Sequence, residues 1–257
     1  MLHYMDDLLL AAPTEIGVHR LEQRVMSTLV KVGFTISEQK VQRGPGVEYL
    51  GYKFGPETVR PMGLDIVPRI ASLWDVQRLV GALQWVRNAI GIPPRLMKPF
   101  YDQLKGTDPN EMREFTPEMT VAWEEISEAC MSRSLARRDP NQPLEVAVCR
   151  CIEGSAAVLG HSLDSKPRPL WWLFSVQPTR AFTSWLEVLA VLLRKSRLLS
   201  LRAIGKEPDR LYLPGTFRNL QPLPEVILLT LQDFGGVISF SDSLPIFDLA
   251  GSLKISL

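Results

Sequence analysis

The stretch that most constrains this chain is its first ten residues, in which two adjacent acids stand between two short apolar runs. Residues 2–5 and 8–10 are mostly apolar, and Asp6 and Asp7 lie between them. Each run is long enough for a strand, and the acids fall where the chain has to reverse. The pattern predicts a tight β-hairpin that holds two carboxylates at its tip.

Two carboxylates at a hairpin tip suit magnesium chemistry. Mg²⁺ prefers oxygen ligands and is usually bound through one or two carboxylates together with substrate phosphates. Two such ions can stabilise both the attacking and the leaving oxygen of a phosphoryl transfer. The alternative is a solvated turn, because aspartates are common in turns. The flanking residues favour the first interpretation, since Tyr4-Met5-Asp6-Asp7 followed by leucines resembles the tyrosine-x-Asp-Asp motif of reverse transcriptases.

The resemblance implies roles for all four residues of this motif. Asp6 and Asp7 would be the catalytic ligands of Mg²⁺, and Tyr4 and Met5 would line the primer terminus. In that family a third catalytic Asp lies on a separate, earlier palm strand. That Asp, the fingers and the first half of the palm would all lie outside this chain, which would leave the two-metal site incomplete. A strand that begins at residue 2 agrees with this, because its sheet partners must come from elsewhere.

A helix and further strands are predicted after the hairpin. Thr14 can cap a helix that runs from residue 15 to about residue 32, and Gly33 is a suitable stop. Residues 34–36 are predicted to form a strand. Residues 47–54 alternate between apolar and polar side chains, which is typical of another strand.

A second candidate contact with nucleic acid lies in residues 49–52, Tyr-Leu-Gly-Tyr. This stretch resembles the hairpin that grips the primer end in retroviral reverse transcriptases. By that resemblance, Leu50 and Gly51 would lie against the primer backbone. A glycine within a strand pattern also indicates close approach by another backbone. An ordinary edge hairpin is the alternative.

Residues 61–138 are predicted to be helical and to pack as a small bundle. In the first of these helices, Gln77, Gly81 and Trp85 are spaced by four and form a stripe beside the apolar face. A gap at a glycine, next to an amide and a flat aromatic ring, suits the wide and shallow minor groove of an A-form-like duplex. The alternative is a buried tryptophan packed beside a small residue.

The same helix carries the second family resemblance. Residues 75–81 together with Trp85 resemble the thumb helix that follows the template–primer minor groove in retroviral reverse transcriptases. The resemblance implies that Gln77, Arg78, Gly81 and Trp85 contact the duplex.

Charge is distributed unevenly along the chain. The whole chain has a net charge of +1, whereas residues 60–105 carry seven basic residues against three acids, a net charge of +4. A local basic field of this kind suits a phosphate backbone. An ordinary solvated surface is an equally good explanation of the count alone.

From residue 139 the pattern changes to three predicted strands, a helix, a strand, a second helix and further strands near residues 237–240 and 253–257. This is the ribonuclease-H-like order, which the connection domain of retroviral reverse transcriptases has without a metal site. An active nuclease needs an Asp in the first strand, and none is present there. We therefore expect Glu187, on the first helix, to be structural.

The resemblance extends over nearly the whole chain and is strongest to the avian sarcoma and leukosis, or alpharetrovirus, type. Residues 33–37, 91–97 and 108–111 carry it in addition to the motifs above. It implies an α+β multi-domain chain made of three parts: the C-terminal part of the palm at 1–60, a helical thumb at 61–138, and a non-catalytic, ribonuclease-H-like connection at 139–257. The ribonuclease H domain of the family would lie beyond this chain.

As part of such an enzyme, the chain would extend a primer on an RNA or DNA template from deoxynucleoside triphosphates, using two Mg²⁺ ions, and would be inactive alone. One alternative is a non-catalytic endogenous-retrovirus remnant that binds duplex nucleic acid or another Pol subunit. Another is a fragment without a selected function, which aggregates through unpaired strand edges. The chain has no apolar run long enough to span a bilayer and no signal peptide, so we expect it in the cytoplasm or the virion, neither secreted nor membrane-spanning.

Overall fold

The computed structural model describes residues 1–62, 69–151, 154–176, 184–220, 222–241 and 243–249. Over these residues the chain is an α+β protein with seven α-helices and eleven strands. It divides into two compact units, Met1–Pro56 and Glu57–Leu257. Among the described helices none is both long enough and apolar enough to cross a membrane.

The small unit contains two hairpins and one long helix. Its elements are β1 (Leu2–Tyr4), β2 (Asp7–Leu9), α1 (Glu15–Lys31), β3 (Val47–Tyr49) and β4 (Tyr52–Phe54). The predicted cap of α1 is confirmed, because the Thr14 side chain accepts a hydrogen bond from the Gly17 amide at 3.1 Å. The helix stops as predicted near Gly33, which adopts a φ of 89°.

Residues 1–56, all of which the structure describes, contain no buried side chain. Several large apolar side chains are more than 60% exposed: Ile16, Val30, Val32 and Phe34. The local structure of this unit therefore depends on caps, turns and strand ladders, since a hydrophobic core is not formed within it.

Two of the predicted strands in this unit are wrong. Residues 34–37 have no regular structure, because the Phe34 amide donates back to the Leu29 carbonyl at 3.0 Å in the C-terminal motif of α1. Residues 47–54 form a hairpin, β3–β4, rather than one strand, because the chain reverses at Leu50 and Gly51. The hairpin that the family resemblance implied for residues 49–52 is therefore present.

The large unit begins with a helical part. Its elements are β5 (Thr58–Pro61), α2 (Leu73–Ile90), α3 (Pro94–Asp102), α4 (Pro117–Ser132) and β6 (Leu135–Ala136), the two short strands being antiparallel partners. The three helices bury apolar side chains that are wholly inaccessible to solvent: Val76, Leu83, Met97, Phe100, Met119 and Ile126. Burying each such side chain contributes about 1.5–3 kcal/mol, so this bundle has a core of its own.

A five-stranded mixed sheet follows. Its elements are β7 (Glu145–Cys151), β8 (Gly154–His161), β9 (Arg168–Val176), α5 (Trp185–Ile204), β10 (Arg210–Pro214), α6 (Glu225–Leu231), β11 (Val237–Ser241) and α7 (Pro245–Leu249). The strand order is β11-β10-β7-β8-β9. Strands β7, β8 and β9 pair antiparallel with one another in that order. Strand β10 is parallel to β7 on one side and to β11 on the other. The strand predicted at residues 253–257 lies outside the described residues.

Helix α5 covers one face of this sheet. Its residues Leu189, Leu192 and Leu193 are fully buried against the apolar side chains of β7, β8 and β10. Helix α2 reaches β9 at its own C-terminus, where Gly91 ends it with a φ of 69° and lies against the ring of Trp172. A methyl group at Gly91 would come within 3.0 Å of that ring, so only glycine fits there without a shift.

The three cysteines, Cys130, Cys149 and Cys151, are buried and free. Burial raises the pKa of the Cys130 thiol to about 11. A thiol in such surroundings is protonated and unreactive at neutral pH.

Candidate functional site

The predicted carboxylate hairpin is present. Strands β1 and β2 are antiparallel, Tyr4 is paired with Asp7, and the two-residue turn between them is Met5-Asp6. Met5 adopts a φ of 48°, a conformation that a turn of this kind usually gives to glycine. Strain of this sort costs about 1–3 kcal/mol and is concentrated at functional sites. The His3 Nε2 group donates to the Met5 carbonyl at 2.5 Å and stabilises the turn.

All four motif residues are brought together at this tip and face solvent. Tyr4 is 53% exposed and Met5 77% exposed, and the side chains of Asp6 and Asp7 are also exposed. Neither carboxylate takes part in an ion pair among the described residues. Such a pair fits Mg²⁺, which accepts one or two carboxylates and takes its other ligands from water or substrate phosphates.

A complete metal cage is not formed by the described part of the chain, which contains no group of three or more His, Cys, Asp or Glu side chains suited to one ion. The arrangement at Asp6 and Asp7 therefore offers two oxygen ligands and requires further ones from elsewhere. Those could be substrate phosphates, water or another carboxylate.

The second hairpin places Leu50 and Gly51 at its turn. Both residues have positive φ, 49° and 77°, which is the pattern of a type I′ turn. Such turns favour Asn-Gly, so a leucine at the first position is a strained choice. Gly51 is exposed at the tip and has no side chain to keep another backbone away.

The predicted stripe on α2 faces solvent. Gln77, Arg78 and Gly81 are exposed, and Trp85 is 52% exposed. Apart from the backbone of α2 itself and the two chain neighbours, no atom of the described residues would come within 4 Å of a Cβ added at Gly81, so the helix surface is open there. The alternative interpretation, a buried tryptophan packed against the glycine, is wrong for this helix.

Sequence reasoning missed one residue on the same face, Trp74, which is also 52% exposed. The guanidinium of Arg78 lies over its ring, 5.5 Å from the centroid. The signal was available, because Trp74 precedes Gly81 by seven positions and Trp85 by eleven, a helical repeat.

Two local features hold the start of α2 in place. Ser72 and Asp75 form a capping box, in which each side chain bonds the other residue's backbone amide. Hydrogen bonds from Ser72 lower the pKa of the Asp75 carboxyl. The amide of Trp74, which has no partner within the helix, donates to the Pro109 carbonyl at 2.9 Å.

The basic field predicted for residues 60–105 is only partly available at the surface. Arg87 is 7% exposed, and burial lowers the pKa of its guanidinium. Two further cations are paired with carboxylates: Arg95 with Glu125 at 2.6 Å and Lys98 with Asp102 at 2.5 Å. Because Asp102 is already among the three acids of the count, the burial of Arg87 and the pairing of Arg95 with Glu125 are what reduce the field of +4 that reaches a ligand.

The acids of the five-stranded sheet have structural partners. Glu187 completes the capping box at the start of α5 with Ser184, which agrees with its predicted structural role. Asp209 accepts a hydrogen bond from the Leu144 amide at 2.6 Å and pairs with Lys206. Neither belongs to a cluster of metal-ligating side chains among the described residues.

Comparison with known proteins gives consistent matches. The family model for the reverse transcriptase thumb domain matches residues 67–124. The chain is 57% identical over its full length to the Gag-Pol polyproteins of avian leukosis virus subgroup A and of Rous sarcoma virus subgroup C. It is also 51% identical, over 83 residues, to a retrovirus-related Pol polyprotein of Gallus gallus, covering 32% of this chain and 34% of that protein.

The chain spans only 16% of the length of the two viral polyproteins. The thumb match covers α2, α3 and the first half of α4, including the exposed stripe. From the full-length identity and the thumb match together, this chain belongs to the retroviral reverse transcriptase family, as a segment of the avian leukosis and Rous sarcoma type.

Proposed function

We propose that this chain is the part of an RNA-directed DNA polymerase that supplies two metal-binding carboxylates and a duplex-binding helix. The observation that carries the proposal is the hairpin tip. There, two adjacent and exposed carboxylates, neither in an ion pair with another described residue, follow Tyr4-Met5, Asp6 in a strained turn and Asp7 at the start of β2. In the complete enzyme the reaction would be extension of a primer on an RNA or DNA template.

At the hairpin tip, Asp6 and Asp7 would hold Mg²⁺, which when bound supplies charge stabilisation for phosphoryl transfer. Tyr4 and Met5, both more than half exposed, would contact the primer terminus. In the second hairpin, Gly51 would let the primer backbone approach closely. Positioning of the substrates and the metal ions provides most of the catalysis in reactions of this class.

On α2, the exposed residues Gln77, Gly81 and Trp85 would lie along the minor groove of the template–primer duplex. The gap at Gly81 admits the sugar edge, and the indole and the amide flank it. Arg78 would add a charge near the phosphates. This part of the proposal rests on surface geometry and does not require chemistry at the hairpin.

We also propose the division into palm (1–60), thumb (61–138) and connection (139–257). The strand order β9-β8-β7-β10-β11, with three antiparallel strands followed by two parallel ones, supports a ribonuclease-H-like connection domain. Its acids Glu187 and Asp209 have the structural partners described above, which supports a non-catalytic role.

A primer-extension assay tests the polymerase proposal. The 257-residue chain alone, with an RNA–DNA primer–template, four deoxynucleotides and Mg²⁺, should incorporate nothing, because two carboxylates do not make a two-metal site. The same chain joined to the preceding polymerase segment of an avian relative should extend the primer. Asp7→Asn in that longer protein should then abolish extension, with Asp108→Asn, a loop acid in the large unit, as the matched control. Extension by the chain alone, or by the Asp7→Asn protein, would contradict the proposal.

A second candidate function is binding of duplex nucleic acid, or of another Pol subunit, without catalysis. It is favoured because all of the proposed groove contacts on α2 lie within the large unit. Gel shift with an RNA–DNA hybrid tests the first of these. Binding should weaken steeply with salt and should weaken further in Trp85→Ala. Absence of binding at low salt would exclude it, and size-exclusion chromatography with other Pol segments would then test the subunit alternative.

A further inference from the structure

Trp74 is an exposed indole that the fold does not need for its core. It is 52% exposed at the first turn of α2, whereas neighbouring Leu73 and Val76 are buried at 1% and 0% exposure. Large aromatic side chains are usually more buried than this, and a half-exposed one is a common contact residue.

The position of Trp74 around the helix places it in the same line as the proposed groove contacts. Trp85 follows it by eleven residues, which is three helical turns plus about 20°. Gly81 follows by seven residues, about 20° short of two turns. Trp74, Gly81 and Trp85 thus lie on one line along α2, and the two indoles are about 16 Å apart along the axis.

The backbone amide and the indole ring of Trp74 each have a partner within the large unit. The Trp74 amide is fixed to the Pro109 carbonyl at 2.9 Å, outside the helix. The Arg78 guanidinium lies 5.5 Å from the centroid of the Trp74 ring, within the range of a cation–π contact. The contact is an i, i+4 pair on the helix surface, so the guanidinium reaches the ring without distorting the helix.

We propose that Trp74, oriented by Arg78, is a second aromatic contact of α2 with the duplex and that together with Trp85 it selects A-form-like duplexes. The inference rests on the proposed duplex binding by α2. Two indoles on one line along the helix need a minor groove that is wide and shallow over about 16 Å. An RNA–DNA hybrid offers such a groove, whereas the minor groove of B-form DNA is only about 6 Å wide.

Fluorescence anisotropy with a labelled RNA–DNA hybrid and a DNA duplex of the same sequence tests this. For the 257-residue chain, Trp74→Ala should weaken hybrid binding about tenfold, the effect of losing one aromatic contact. Binding to the DNA duplex should change by less than about threefold, so that the preference for the hybrid falls. Trp74→Phe, which keeps a flat ring, should restore most of the hybrid affinity. Trp171→Ala serves as the matched control, since Trp171 is an exposed tryptophan on β9.

The outcomes separate this inference from the function on which it rests. If Trp85→Ala weakens hybrid binding while Trp74→Ala leaves both affinities unchanged, the inference is overturned and duplex binding by α2 stands. Equal losses on both duplexes in Trp74→Ala would overturn the proposed selectivity. Absence of hybrid binding by the unmodified chain would overturn both. Far-ultraviolet circular dichroism of each variant should match the unmodified chain, because the Trp74 amide keeps its hydrogen bond in every variant.

Discussion

The two units of this chain hold their elements together in different ways. In Met1–Pro56 no side chain is buried, and the helix and hairpins depend on a cap, strained turns and short ladders. In Glu57–Leu257 a helical bundle and a sheet each bury fully inaccessible apolar side chains. The residues proposed for chemistry thus lie on a unit without a core of its own, while those proposed for duplex binding lie on a well-packed unit.

The largest expected difference between the units is the cost of removing a leucine. Leu83→Ala, in the core of the bundle, should lower the free energy of unfolding by about 2–5 kcal/mol. Leu29→Ala, in half-buried α1, should cost about 1 kcal/mol or less. Urea unfolding measures the first, and hydrogen exchange of the α1 amides measures the second. Equal costs would mean that α1 is packed as firmly as the bundle.

Two glycines, one in each unit, should also differ in the cost of substitution. Gly91 and Gly33 both have positive φ, but only at Gly91 would a new methyl group meet a packed ring, that of Trp172. Gly91→Ala should cost about 2–3 kcal/mol, from the left-handed backbone and the crowding together. Gly33→Ala should cost about 1–2 kcal/mol, from the backbone alone. Thermal unfolding by circular dichroism compares them, and a larger cost at Gly33 would contradict the packing described for α2.

A smaller effect is expected from pH on the large unit. His161 is fully buried, its Nδ1 donates to the Pro143 carbonyl at 2.6 Å, and its Nε2 accepts from the Asp139 amide at 3.3 Å. Burial lowers the pKa of this imidazole below its usual 6.5. Because the folded state binds a proton less readily than the unfolded state, its contribution to stability is present above pH 6.5. It is lost as the pH falls from there toward the folded-state pKa.

Tryptophan fluorescence is the suitable measurement for this effect, because all six tryptophans lie in the large unit. The urea concentration at the midpoint of unfolding should decrease when the pH is lowered from 7 to 5.5. This decrease should be smaller in His161→Gln. A midpoint that rises on acidification, or an unchanged pH dependence in the variant, would show that His161 is not the group responsible.

Local signals predicted much of this structure. The apolar runs around Asp6 and Asp7 predicted the first hairpin, and Thr14 and Gly33 marked the ends of α1 within a residue or two. Hairpin turns and helix ends depend on residues that are adjacent in the sequence, so the sequence alone is enough to predict them. For the second hairpin, the alternation of residues 47–54 alone predicted one strand, because Leu50 occupies a turn position where asparagine is the usual signal. The family resemblance of residues 49–52 indicated the hairpin that is present.

Features that depend on packing were harder to predict. The basic field of residues 60–105 was counted from charge alone, yet Arg87 is buried and two other cations are paired with carboxylates. Trp74 is not singled out by the sequence motifs, although its spacing from Trp85 repeats the helical period. Exposure of an aromatic ring is decided by the rest of the fold, which single-sequence patterns describe poorly.

The most direct test of the account separates the two units by function. Affinity of the 257-residue chain for an RNA–DNA hybrid is measured by anisotropy at low salt for the unmodified chain, for Asp6→Asn/Asp7→Asn and for Trp85→Ala. We predict unchanged or tighter binding for the double Asp variant, which removes negative charge, and about tenfold weaker binding for Trp85→Ala. Loss of binding in the Asp variant together with full binding in Trp85→Ala would contradict the assignment of duplex binding to α2.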